Sequence, residues 1–217
     1  MLFNVCSYYN ANVVDMGTGV MWAEANLGAQ FGYEYGYHFQ WAETTGYTTI
    51  NRDAENLLWL LRPLDYRYYK FDRSYDEWKN AAESTYCGYC ECTSPDTLRS
   101  SSYDAAYAFS NGYFSIPSPE DFKNLVDNCT VELEKINEHS KEVIVVFKSN
   151  INGNELTFPA YADLWTNHVV ESDLLCKNRS YYCGYEWNIS MSGGFHMGFA
   201  STPKWHALNI RPVHRES

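Results

Sequence analysis

Basic side chains are scarce in this chain. Sixteen Lys and Arg stand against 27 Asp and Glu, a formal charge of −11, which repels phosphate backbones and leaves no basic footprint for nucleic acid. No stretch approaches the roughly 20 consecutive apolar residues that a membrane-spanning helix needs. The opening segment, Met1 to Asn10, has no basic region followed by an apolar run, so it does not read as a secretory signal. The expectation is a chain made in the cytosol that stays there or leaves as part of an assembly. If the N-terminus was trimmed, the alternative is the cell surface. No Pro/Ser-rich or charged linker divides the 217 residues, and 45% apolar content suffices for one sizeable core. The expected organisation is therefore a lead segment over 1–12, a single domain over 13–213 and a tail over 214–217.

Catalytic signatures are also missing. There is no Gly-x-Ser-x-Gly elbow, phosphate loop or His-Glu-x-x-His pair, and the six histidines (His38, His139, His168, His196, His206, His214) are scattered. Seven cysteines are an odd number, so at least one thiol is free or shared, and their spacing lacks the density of a small secreted scaffold. Cys87, Cys90 and Cys92 form the one cluster with metal-like spacing. Zinc would take a fourth ligand from afar, such as Cys129, Cys176 or His139. The other reading is free or partly bridged loop cysteines. A thioredoxin-like role for Cys87 and Cys90 has no strand-then-helix pattern around it. No metal and no cofactor is expected.

Aromatic side chains, by contrast, are abundant: 19 Tyr, 11 Phe and 7 Trp. Tyr and Trp join a large apolar body to a polar tip, which suits half-buried strands and wet binding surfaces alike. They concentrate between glycines in the last stretch, from Tyr181 through Tyr185, Trp187 and Trp205 to Val213. That mixture favours recognition over chemistry.

Along the chain, short strands are expected at Val13-Val14, at Val20 to Ala23 and at Tyr37 to Trp41. Ala54 to Leu61 is an apolar run ended by Pro63, either two helical turns or a buried strand. The segment 51–95 reads as a Tyr- and Cys-rich surface excursion with a short helix at Tyr75 to Ala82. Asp104 to Phe109 is a short helix stopped by Ser110-Asn111-Gly112. A better-marked helix has Ser118 as N-cap, Pro119 at its first position, Asp121 closing a capping box, and Phe122, Leu125 and Val126 on one face. It ends near Asn128. Val143 to Phe147 and Glu155 to Phe158 flank Asn152-Gly153, a hairpin signal. Tyr185 to Ile189 and Ala207 to Arg211 are two further expected strands. The fold class is α+β, with antiparallel strands and two helices.

The order of these motifs carries a resemblance. Val14-Asp15-Met16-Gly17, Trp22-Ala23, Asn26-Leu27-Gly28-Ala29 and Tyr35-Gly36 lead to Trp41-Ala42-Glu43-Thr44. Asp104-Ala105-Ala106, Ile116-Pro117-Ser118, Asn152-Gly153-Asn154, Phe158-Pro159-Ala160, Tyr185-Glu186-Trp187-Asn188 and Ile210-Arg211-Pro212-Val213 follow. In this order they resemble the Fibrobacter succinogenes major paralogous domain, over about Val13 to Val213 with 51–95 poorly matched. The family is associated with Bacteroidales bacteria and their phages and is similar to C-type-lectin-like folds, including retroelement-diversified ligand-binding proteins. The resemblance implies a C-type-lectin-like display scaffold: small twisted antiparallel sheets, two packing helices and long loops. The calcium-sugar motifs of true C-type lectins are missing, with Glu186-Trp187-Asn188 only echoing one, and no calcium site is expected. Some lectin-like folds host oxidase chemistry on a reactive cysteine, which would put Cys183 or Cys176 forward. Fold analogy alone does not establish such a site, and a non-enzyme is expected.

The expected function is recognition of a cell-surface glycan or protein, or a structural role in a virion as a decoration, fibre or tail component touching neighbouring subunits. A bacterial surface or secreted binding module, or a purely structural assembly protein, is the alternative. No nucleic acid or membrane insertion is expected; an oligomer or larger assembly is. The candidate ligand-binding residues are Tyr181, Tyr182, Ser190, Ser192, His196, Trp205 and His206. Tyr185 and Phe195 share the same aromatic segment. Alternation along a strand sends about half of such side chains inward, and Trp187 is expected in the core.

Overall fold

The structure is a computed structural model that describes residues 12–44, 46, 97–138, 140, 142–169, 183–191, 193–203 and 206–216. Among them are three small antiparallel sheets and two helices. The first sheet has the order β1-β2-β9, from β1 (Val13–Asp15), β2 (Met21–Ala23) and β9 (Val213–His214). The second runs β3-β4-β5, from β3 (Cys129–Lys135), β4 (Val143–Ser149) and β5 (Glu155–Pro159). The third, β6-β7-β8, is built from β6 (Ala162–Val169), β7 (Cys183–Ser190) and β8 (His196–Pro203). The helices are α1 (Ala105–Phe109) and α2 (Pro119–Asp127). None is long and apolar enough to cross a membrane.

Local chemistry accounts for the helix ends. Ser118 accepts from the Asp121 amide while the Asp121 carboxylate accepts from the Ser118 amide, and Pro119 follows the cap. This reciprocal box satisfies two amides that the first turn leaves unpaired. The helix buries Phe122 and Leu125 and stops at Asn128, whose amide returns to the Asn124 carbonyl. α1 is capped by Asp104 and ends at Ser110; Asn111 and Gly112 then take positive φ angles of 52° and 89°.

Strand alternation divides the interior in two. Trp22 and Leu164 belong to one cluster, with Phe122, Phe147, Phe158 and Trp187; their chain neighbours Ala23 and Trp165 belong to the other, with Phe39, Trp41 and Phe114. β2 and β6 therefore stand between two cores, and successive side chains serve opposite ones. In the first cluster Phe122 stacks on Trp187 at 4.7 Å between ring centroids. Arg211 joins the N-terminal loops to β5. It is fully buried, and its guanidinium donates to Asn26 Oδ1 and to the carbonyls of Ala23, Glu24, Gly32 and Thr157.

Two expected strands are corrected. Tyr37 to Trp41 makes one antiparallel bridge, Phe39 to Leu208, instead of a strand. Phe39, Gln40 and Trp41 are all buried, so the segment lacks the solvated side of a half-buried strand. Ala207 to Arg211 makes only that bridge and a parallel one, Asn209 to Leu164, because Leu208 and Ile210 go into the second core while Arg211 bonds elsewhere. Four strands were not expected: β3, β6, β8 and the short β9. The 214–217 tail begins inside β9, and Arg215 pairs with Asp121. The runs at 54–61 and 75–82 and Cys87, Cys90, Cys92, His139 and Cys176 lie outside the described residues.

Candidate functional site

The candidate site is the side of the β6-β7-β8 sheet turned away from the first core. Trp187 and Ile189 are 1% exposed and point into that core. Alternation then sends Gly184, Glu186, Asn188 and Ser190 to the opposite side. The register sets Asp163 opposite Asn188 on β6, and Thr202, Ala200, Gly198 and His196 opposite Gly184, Glu186, Asn188 and Ser190 on β8. Asp163 and His196 are exposed, while Glu186, Asn188 and Ser190 are half-exposed. The β8 positions facing Glu186 and Asn188 are Ala and Gly, while from β6 the buried Trp165 faces Glu186.

One end of this face is closed. A Cβ on Gly184 would lie 2.5 Å from Trp165 and 2.7 Å from Trp41, so only glycine lets the two indoles cross the sheet there. Trp165 fixes the cover by donating from Nε1 to the Phe39 carbonyl at 2.7 Å. Beyond β8 the chain returns across this end. His206 places Nδ1 3.2 Å from the Thr202 hydroxyl, and Asn209 donates its amide to the Asp163 carbonyl at 3.0 Å.

The electrostatics follow mainly from burial of two carboxyls on one sheet. Burial first, then the neighbouring charge of Asp163, pushes Glu186 up to about 7, against hydrogen bonds from Asn188 and Thr202 that favour its charged form. Burial also raises Asp163, although its side chain reaches the surface. His206 is an exposed residue, yet burial by the protein packed about its ring holds its pKa below the ordinary histidine value. The face thus offers carboxylate acceptors, an amide that both donates and accepts, hydroxyls and an imidazole within a few residues of each other. Such a set matches polyhydroxylated or peptide-like ligands.

Of the expected ligand-binding residues, Ser190 and His196 lie on this face and His206 on its rim; Tyr181, Tyr182, Ser192 and Trp205 lie outside the described residues. Two aromatics of the segment turn away: Tyr185 stacks on Phe199 at 4.9 Å, and Phe195 packs against the first core. Sequence reading missed Asp163, Glu186 and Thr202, whereas Asn188 is expected there as a supplier of adaptable hydrogen bonds beside Ser190 and Ser192. Alternation about Trp187 could have found Glu186. Asp163 and Thr202 carried no signal once β6 and β8 went unrecognised. Among the described residues no group of three or more His, Cys, Asp or Glu side chains converges as a metal site. Cys129 is free, and burial pushes its thiol up to about 11, far from a reactive thiolate. Compared with family models, curated proteins and solved structures, the chain matches none.

Proposed function

We propose that this chain is a non-catalytic recognition domain that binds a cell-surface glycan or protein through the outward face of β6, β7 and β8. The observation that carries this reading is the far side of that sheet, where Asp163, Glu186, Asn188, Ser190 and His196 are exposed or half-exposed next to the buried Trp165, while Leu164, Trp187 and Ile189 fill the first core. A rigid sheet holding adaptable polar groups needs little ordering on binding. The motif order resembling the Fibrobacter succinogenes major paralogous domain supports a C-type-lectin-like display scaffold for this face. A glycan array probed with wild type, Asn188→Ala and His206→Ala tests the proposal. We expect a defined set of bound glycans in the wild type and at least about tenfold weaker binding in both variants; identical profiles would reject the surface.

A second reading, a structural subunit of a particle such as a virion, is favoured by a different observation. Tyr103, Tyr107 and Tyr113 are 41%, 38% and 49% exposed around α1, and Tyr113 is braced by His214, stacked at 3.9 Å. Exposed aromatics held this firmly suit contacts between subunits. Sedimentation of wild type against Tyr107→Ala/Tyr113→Ala separates the readings: assembly lost in the double variant supports the structural role, and a monomeric wild type opposes it.

A further inference from the structure

β3 pairs with β4 on one side and stands open on the other. The order β3-β4-β5 makes it an edge strand, and Thr130, Glu132, Leu133, Glu134 and Lys135 are all exposed. Which of its backbone groups face outward follows from the bonds at its two ends. The Asn150 amide donates to the Asn128 carbonyl at 2.9 Å, and the Ile136 amide donates to the Glu142 carbonyl. Antiparallel pairs alternate between residues that bond the partner strand and residues that do not, so Thr130, Glu132 and Glu134 bond β4. Val131, Leu133 and Lys135 therefore turn their N–H and C=O groups away from β4, and among the described residues nothing bonds them there. The opposite edge of the sheet is occupied: Thr157 on β5 gives its carbonyl to Arg211 at 2.9 Å.

The side chains of β3 select what can pair with this edge. Thr130, Glu132 and Glu134 share one face, where Lys148, opposite Thr130, is already engaged by Glu155 at 3.1 Å. On the other face Leu133 is 44% exposed beside the half-buried Val131. A second copy of the chain fits poorly. Two-fold antiparallel pairing centred on Glu132, Leu133 or Glu134 sets a glutamate against itself or Glu132 against Glu134, and like charges directly opposite each other are destabilising. We propose that the outward edge of β3 accepts, as an added strand, an extended segment of a partner protein in which Lys or Arg alternates with apolar residues. Its basic side chains meet Glu132 and Glu134, its apolar ones pack beside Val131 and Leu133, and main-chain bonds to Val131, Leu133 and Lys135 hold it in place. The same acidic pair turns away acidic strands, including its own copy. This edge is separate from the outward face of β6, β7 and β8, so glycan binding at that face can fail without touching it.

Amide hydrogen exchange of the 15N-labelled full chain tests the edge with two synthetic peptides, Lys-Val-Lys-Val-Lys-Val-Lys and Glu-Val-Glu-Val-Glu-Val-Glu. With about 1 mM of the basic peptide, the amides of Val131, Leu133 and Lys135 should exchange at least about tenfold more slowly. Those of Thr130, Glu132 and Glu134, already bonded to β4, should change little. The acidic peptide should protect none of them, and Glu132→Lys/Glu134→Lys should swap the roles of the two peptides. Leu133→Pro removes an outward N–H and no bond to β4, a change that strand edges tolerate, and it should abolish the protection of Val131 and Lys135. Outward amides left unprotected by the basic peptide, equal protection by both peptides, or an unchanged preference in the double Lys variant would overturn the proposal. So would undiminished protection in a folded Leu133→Pro; if that variant fails to fold, the double Lys variant decides.

Discussion

Arg211 shows how one side chain can hold several loops in register. Its Nη2 donates to Gly32 O at 2.7 Å and Thr157 O at 2.9 Å, its Nε to Asn26 Oδ1 at 2.8 Å, and its guanidinium carbon lies 4.3 Å from the centre of the Phe158 ring. Arg211→Met would leave several buried carbonyls unpaired, each worth roughly 1–3 kcal/mol, partly offset by no longer burying a charge. We expect a loss of about 3 kcal/mol, measured by urea unfolding. Asp104 works by the same logic with opposite sign. Its carboxylate accepts from the amides of Ser100, Tyr107 and Ile116, so Asp104→Asn turns an NH₂ toward at least one of those donors and should cost about 1–3 kcal/mol. Burial still raises Asp104 to about 6 and Glu186 to about 7. Both bind their protons more tightly folded than unfolded. Their contribution to stability is therefore greatest in acid and is lost as pH rises through the folded values. Lowering pH from about 7.5 to about 5 should raise the melting temperature, and Glu186→Gln should blunt that rise.

At the scale of elements, α2 and the third sheet differ in how plainly their sequences announce them. Ser118, Pro119 and Asp121 each act where the chain needs a cap, a preset φ and a reciprocal acceptor, so α2 was legible to its last residue, and Ser118→Ala should cost about 1 kcal/mol by thermal unfolding. The β4–β5 hairpin was equally plain, because Gly153 takes a φ of 77° in the loop closed between Ser149 and Asn154. β6 and β8 were not. β6 buries Leu164, Trp165, Thr166 and Asn167 in succession, so it shows no alternation, and its register shifts between Trp165 and Val169. β8 contains Gly198 and Ala200, which lack the bulk by which strands declare themselves. The polar face was thus half legible: β7 could be oriented from Trp187, whereas its partners on either side came only from tertiary pairing. Gly184→Ala tests the closed end of that face. A methyl within 2.7 Å of two indoles should cost about 1–3 kcal/mol through overpacking and alter the near-ultraviolet signal of Trp41 and Trp165.

Among the described residues, two tryptophan-rich cores lie on either side of β2 and β6, and two distinct surfaces besides the edge of β3 stand open to other molecules. One is the polar side of β6, β7 and β8; the other is the tyrosine cluster around α1. We propose ligand recognition at the first, because its side chains can exchange hydrogen bonds in several directions, whereas the tyrosines offer broad contact area with less directional choice. These surfaces are made by different parts of the chain, so a bound ligand can be traced to one or the other. The most direct measurement is backbone amide chemical-shift mapping of the labelled chain as the strongest glycan from the array is titrated in. The largest changes are expected at 163, 186–190, 196–202 and 206, with 103–113 unmoved. Changes centred on Tyr103, Tyr107 and Tyr113, with the sheet residues silent, would contradict it.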